Sequence, residues 1–322
     1  EPNPKASHVD RMVALLKEEK CDFVIGLGGG SPMDTAKAIA LTATNGGSVL
    51  DFFPGAPRSD WSLLKPALPI MAITTTAGTG SEVTRVAVIT NRETHEKPAI
   101  IHDSMAPKIS IVDPDLMMTM PPAVTAEAGV DALFHALETM VASTATPFTD
   151  LVAEEAIKII TANLETAYRD GANKEARAQM AWANTLAGMA IDNACPVAVH
   201  GFGHPISGHY NVAHARALAA IGPAFLDYTY DADFPRYAKL SRLLGVSDEG
   251  LTLEQLAARA GDALRAFLKK VDLNITLTDL GVTRDKLEQM AKDGLSTCGP
   301  PIHASLKPLT VEDGVRIYEM SL

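Results

Sequence analysis

The stretch VHGFGHPISGHYNVAHARA places His200, His204, His209 and His214 within fifteen residues, in surroundings that are apolar and broken by glycine rather than charged. Imidazoles gathered in such a setting point to an interior site and not to a solvated surface. Upstream, in GVDALFHALE, Asp131 and His135 stand four residues apart, a spacing that puts both on one face of a helix. One carboxylate with several imidazoles suits a first-row divalent ion, Fe²⁺ or Zn²⁺, and ligand type alone does not choose between them. Taken alone, an Asp/His pair at this spacing is also what a solvated or hydrogen-bonded helix face looks like.

A second kind of chemistry is suggested by VIGLGGGSPMDTAKAIA, residues 24–40. An apolar strand running through glycines into a helix leaves unpaired backbone N–H groups at the positive end of the helix dipole, and glycine lets an anion approach closely. A pyrophosphate fits such a cradle, although the spacing is not G-x-G-x-x-G and a glycine turn can simply be a turn. TTTAGTGSEVT, residues 74–84, is another Thr/Gly-rich turn after another apolar run. Two such turns at the C-terminal ends of strands in one α/β sheet are where nucleotides bind, while Ser/Thr/Gly clusters also make ordinary loops.

The elements that must position these residues change character once along the chain. Residues 7–19 read as a surface helix with Ser7 and Asp10 as a capping pair and Val9, Met12, Val13 and Leu16 on one face. CDFVIGLG reads as a strand, and the helix after it has Pro32 in its first turn and a glycine pair at its stop. LPIMAITTT, RVAVIT, KPAII and KISIVD read as further strands up to about residue 112, while the Pro-rich DFFPGAPRSDWSLLKPA is expected to be irregular. From MPPAVTAEAGVDALFHALETMVA onward the pattern is helical, with Val130, Leu133, Phe134, Leu137, Met140 and Val141 forming an apolar stripe. This places a boundary near residue 120, between an α/β domain at 1–120 and an all-α domain at 121–322, with no internal repeat.

Composition narrows the partners. With 322 residues, 47% hydrophobic and 21% charged, the chain is globular and long enough for two domains. A formal charge of −11 without long like-charge runs repels phosphate backbones and anionic lipid, which argues against nucleic acid and membrane surfaces and for a small-molecule ligand. Cys21, Cys195 and Cys298 are widely spaced, with no C-x-x-C pair, as expected of a reducing, cytoplasmic location. No apolar run has membrane-helix length, and EPNPKASHVD has neither the basic nor the apolar region of a signal peptide and does not begin with Met.

GGGSPMDTAKA, TTTAGTGSEVT, MPPAVTAEAGVDALFHALE and VHGFGHPISGHYNVAHA, in this order and spanning nearly the whole chain, resemble the iron-containing (group III) alcohol dehydrogenase family. The resemblance implies a Rossmann-like N-terminal nucleotide-binding domain and a helical C-terminal domain, in the dehydroquinate synthase-like architecture, with cofactor and metal in the cleft between. It implies Asp131, His135, His200 and His214 as metal ligands, Fe²⁺ or Zn²⁺ as the ion, and His204 as a nearby histidine that is not a ligand. Gly29, Gly30 and Ser31 would hold the pyrophosphate of NAD or NADP, and Asp34, Thr75, Thr79 and, in a following strand, Lys97 would line the cofactor. Family members carry a further strand-helix-strand portion before the position of Glu1, which holds the residue that selects NAD or NADP and without which the sheet is incomplete. Two local departures stand out: the last ligand is flanked as Ala213-His214-Ala215 where the family has Pro-His-Gly, and CGPPIHAS replaces a CTGGNPR-like segment and brings in His303.

The implied reaction is hydride transfer between a small primary alcohol or aldehyde and nicotinamide, with the metal as Lewis acid. His204 is expected to relay a proton to solvent by titrating near neutrality, or else to orient a ligand. Phe134 and Phe202 suggest a mainly apolar substrate pocket, though aromatic residues also build cores. A homodimer or larger homo-oligomer is the family habit. Competing readings are a glycerol-dehydrogenase-like enzyme, a phosphate-binding lyase of the same superfamily, for which Arg85 and Lys97 are the only cations in the relevant stretches, and a non-catalytic metal-binding fragment.

Overall fold

The computed structural model describes residues 4–94, 97–195 and 197–322, apart from the side chains of 299–301; the first three residues of the N-terminal stretch read above lie outside it. Helix α1 (Ala6–Glu18) leads into strand β1 (Val24–Gly28), which passes through the glycine turn into α2 (Gly30–Asn45). Strands β2 (Ile70–Thr74) and β5 (Ile109–Val112) complete a three-stranded parallel sheet in the order β1-β2-β5. Strands β3 (Val86–Val88) and β4 (Ala99–Ile101) pair antiparallel with each other, apart from that sheet. The Pro-rich connection after α2 holds only two short 3₁₀ turns.

Pleat alternation sorts the parallel sheet into two faces. Val24, Gly26, Ile70 and Ala72 point towards α2, and a Cβ on Gly26 would lie 2.9 Å from Met33 Cα, so helix and strand meet at backbone distance. On the opposite face Ile25 pairs with Met71 and Met71 with Ile109, while Leu27 pairs with Ile73 and Ile73 with Ile111.

Helix α1 begins at Ala6 behind Lys5, not at a Ser7/Asp10 cap. The Asp10 carboxylate instead accepts hydrogen bonds from Ser48 Oγ (2.6 Å) and the Val49 N–H (2.9 Å), which ties α1 to the segment after α2. A carboxylate four residues into a helix is too far from the free N–H groups of the first turn to cap them and finds those of a neighbouring segment instead.

From residue 122 on the structure is helical: α3 (Pro122–Met140), α4 (Pro147–Arg169), α5 (Lys174–Ala194), α6 (Ala198–Tyr210), α7 (His214–Thr229), α8 (Phe234–Leu243), α9 (Leu253–Ala257), α10 (Ala260–Lys270), α11 (Leu287–His303) and α12 (Val311–Met320). Helix α3 is the central rod, with every residue from Gly129 to Met140 buried, so Asp131 and His135 lie inside the protein and not on a solvated face. Phe134 is fully buried against Gly222, and Phe202 packs edge-on to Tyr318 with ring centroids 5.7 Å apart. Both aromatics are core residues, not lining of a substrate pocket.

The two parts are joined through the second Thr/Gly turn. Gly80 adopts φ +60°, and a Cβ there would meet Gly188 Cα of α5 at 2.4 Å. Only glycine satisfies both the left-handed backbone and that contact. Asn184 of α5 accepts the Gly80 N–H (2.8 Å) and donates to Glu82 Oε1 (2.8 Å), which also accepts from Thr185 (3.0 Å).

Candidate active site

Asp131 and His135 of α3, His200 of α6 and His214, the first residue of α7, converge in space. The Nε2 atoms of His200, His135 and His214 lie 3.8, 3.9 and 3.9 Å from Asp131 Oδ1. These separations are too long for hydrogen bonds, and Asp131 Oδ1 and His200 Nε2 are buried with no hydrogen-bond partner. Donor atoms of Asp131, His200 and His214 all lie within 4.8 Å of one another, whereas His135 approaches Asp131 and stacks on His200 at 4.8 Å.

Two of the three imidazoles are oriented from behind, while His214 Nδ1 is buried without a hydrogen-bond partner. Glu138, fully buried, accepts from His200 Nδ1 at 2.5 Å and from the Val197 N–H at 2.7 Å, so its carboxylate sits at the N-terminus of α6, which lacks a side-chain cap of its own. With Nδ1 engaged there, His200 turns Nε2 towards Asp131. His135 Nδ1 likewise meets the Gly78 carbonyl at 3.2 Å. A carboxylate or carbonyl behind a ligating imidazole is the arrangement that fixes its ring and tautomer at metal sites. Glu138 escaped the sequence reading because a glutamate near a helix end ordinarily faces water; its one signal is that it lies a further turn along the side of α3 that carries Asp131 and His135.

Burial lowers the pKa of His135 and, aided by His204, Lys97 and His200, drives that of His214 well below the usual histidine value, so both are neutral donors. Burial would also lower His200, but the carboxylates of Glu138 and Asp131 outweigh it and raise the value to about 10. Asp131, a buried carboxylate facing three imidazoles across unbonded gaps, leaves a set of donors whose chemistry suits a divalent cation.

His204 stands beside this cluster, its ring centroid 5.0 Å from that of His214 and its Nδ1 3.3 Å from Cys298 Sγ. Burial, with Lys97 and His200 adding to it, pushes its pKa well below the ordinary histidine value. His209 lies at the other end of α6, paired with Asp293 at 2.8 Å, and His303 is exposed at the end of α11.

A cavity of about 320 Å³ runs from the glycine turn to this cluster. Gly29, Gly30, Ser31, Thr76, Gly78 and Thr79 line it on one side; Glu127, Asp131 and His214 line it on the other. The turns are closely fitted, since a Cβ on Gly30 would lie 2.6 Å from Thr79 Cγ2 and one on Gly29 3.0 Å from Thr76 Oγ1. Thr75, Asp34 and Lys97 are not among the lining residues. The Thr75 N–H donates to Gly28 O at 2.9 Å, linking β2 to β1. Asp34 accepts from Ser81 Oγ (2.6 Å) and the Val88 N–H (2.9 Å), anchoring α2. Lys97 precedes β4 rather than lying in it; burial lowers its pKa against the pull of Asp131 and Asp34.

The fold and site together define an α/β nucleotide-type sheet joined to a helical body, with an Asp/His metal cluster opening onto the glycine turn. Comparison with known proteins agrees: residues 1–114 match Iron-containing alcohol dehydrogenase and residues 125–322 match Fe-containing alcohol dehydrogenase family, C-terminal. The chain is 36% identical to the NAD-dependent methanol dehydrogenase of Bacillus methanolicus, over 100% of its own length and 83% of that protein. It is 38% identical to the 1,3-propanediol dehydrogenase of Klebsiella pneumoniae, over 93% of this chain and 77% of that one. The crystal structure of an archaeal halo-thermophilic alcohol dehydrogenase from a Red Sea brine pool superimposes with a TM-score of 0.93 at 37% identity, over 100% of this chain and 82% of the other.

The chain therefore belongs to the iron-containing alcohol dehydrogenase family and is an oxidoreductase acting on CH–OH groups. The lyase and fragment readings are not favoured, and Arg85, one of the two cations weighed for a lyase phosphate site, is engaged with Asp103 and Asp192. Among the described residues no helix is long and apolar enough to cross a membrane.

Proposed function

We propose that this protein interconverts a small primary alcohol and its aldehyde with NAD as hydride carrier and Fe²⁺ as the metal, in a cleft between domains that meet near residue 120. The observation that carries this reading is the single cavity lined both by Gly29, Gly30 and Ser31 and by Asp131 and His214. Asp131, His135, His200 and His214 would hold the ion, with Glu138 and the Gly78 carbonyl orienting two of the imidazoles. Gly29, Gly30 and Ser31, at the N-terminus of α2, would bind the pyrophosphate, beside Thr79. Asp34, Thr75 and Lys97 would shape that subsite from behind. When bound, the ion supplies Lewis acidity and the nicotinamide accepts or donates hydride.

The chain's own contribution is placement and exclusion of water. Buried, hydrogen-bonded donors keep their geometry without reorganisation, and a cleft closed by two bodies brings two reactants into contact. His204, a neutral imidazole against His214, would hold that ligand in place rather than titrate. NAD is favoured by the relative named NAD-dependent. The free cysteines Cys21, Cys195 and Cys298 favour a reducing, cytoplasmic compartment, and assembly as a homo-oligomer completes the proposal.

Elemental analysis of anaerobically purified protein beside His200→Ala tests the site. About one iron or zinc per chain, lost in the variant, is the expected result. No metal in either protein, even after addition of Fe²⁺, overturns the ligand assignment.

A further inference from the structure

The cavity that joins the glycine turn to the metal cluster is lined by two carboxylates, Glu127 and Asp131, and among the described residues that line it there is no Lys or Arg. Glu127 stands one turn before Asp131 on α3, in the row that continues to His135, and shares the lining with Gly29, Gly30 and Ser31. Left uncompensated, its charge would repel the phosphates that the helix N-terminus attracts. Arg216 supplies the compensation: its Nη1 lies 3.8 Å from Glu127 Oε1, with side-chain exposures of 40% and 27%. Arg216 follows His214 and Ala215, both lining residues, in the first turn of α7.

We infer that Arg216, steadied by Glu127 at the rim of the cleft, is an anchor for the phosphates of the dinucleotide, bridging the Glu127 carboxylate and a phosphate oxygen when the cofactor lies on the glycine turn. This rests on the cofactor site proposed above. A guanidinium has donors enough for both partners, and the Glu127 carboxylate keeps it near the cavity. At 3.8 Å the ion pair is loose, leaving the guanidinium room to turn towards an incoming anion. Glu127 thus positions the guanidinium, and Arg216 makes the phosphate contact.

The test is NADH binding to the intact, metal-loaded protein, followed by nicotinamide fluorescence at low and high salt, beside a phosphate-free dihydronicotinamide riboside as second probe. Arg216→Ala is expected to raise the NADH Kd about tenfold, with a shallower salt dependence, and to leave binding of the phosphate-free probe unchanged. Arg216→Lys is expected to restore part of the loss. Wild-type Kd and salt slope in Arg216→Ala overturn the inference, and so does an equal loss for both probes, which would mark a general distortion of the cleft. A wild-type protein with no saturable NADH response overturns the cofactor site itself, and the inference falls with it.

Discussion

The helical part and the α/β part are built to different standards of closure. In the helical part Gly129–Met140 of α3 is buried, Leu133, Phe134 and Leu137 have no accessible surface, and His200 is held by the buried Glu138 carboxylate. In the α/β part only one face of the parallel sheet is covered, by α2; on the other face Ile25, Leu27, Ile109 and Ile111 are 50%, 58%, 53% and 40% exposed. Parallel sheets ordinarily bury both faces. The matched relatives are longer, the chain covering 83% of one and 82% of another. The difference teaches that the Asp131 cluster lies within the closed helical body, while the glycine turn is carried by a sheet that α2 covers on one face and that the Gly80–Asn184 contact ties to α5.

The sharpest way to break this contrast is to remove apolar volume on each side. Leu133→Ala should cost about 2–5 kcal/mol in urea unfolding, because a cavity opens in a packed interior. Ile25→Thr on the bare face should change stability by less than about 0.5 kcal/mol. Equal costs would mean that both regions are closed to the same degree.

A second effect reports on the interior of the α/β part. Lys37, fully buried, donates to Ser81 Oγ (2.8 Å), Thr84 Oγ1 (3.0 Å) and Val86 O (2.9 Å). Burial lowers its pKa from 10.5 to about 8, against the pull of Asp34, Asp192 and Glu82. Between these two values the unfolded chain binds more protons than the folded one, so this group makes stability rise with pH across the window. The rise is about 3 kcal/mol at most. Lys37→Met should abolish it, seen as the difference between the two proteins in denaturation series from pH 8 to 10.5; identical pH profiles would refute the assignment.

The smallest of these effects separates orientation from ligation. Glu138→Gln keeps the shape but weakens the bond to His200, and metal affinity should fall about 10–100-fold while the fold persists. Competition with a chelator measures it, and unchanged affinity would show that Glu138 only caps α6.

Much of this was legible in the residues because it depends on local rules. A strand, a glycine turn and a helix with Pro32 in its first turn follow from neighbours in sequence, and so does the i, i+4 relation of Asp131 and His135. Glu138 was not legible, since its role depends on the N-terminus of α6 arriving beside it. Phe134 and Phe202 stayed open between pocket and core for the same reason: an aromatic on an apolar stripe looks alike whether it faces a ligand or Gly222 and Tyr318. Asp10 looked like a cap and became a tie between elements.

By itself, then, the sequence determined which residues could bind an anion or a metal and that a sheet-forming half precedes a helical one, because propensity, periodicity and turn chemistry act over a few residues. Only the tertiary structure decided that His200 and His214 meet Asp131, that the glycine turn opens onto the cluster through one cavity, and that Arg216 lies beside Glu127. Those contacts join positions far apart in the chain, and their geometry is set by how helices α3, α6 and α7 pack, which no local pattern encodes.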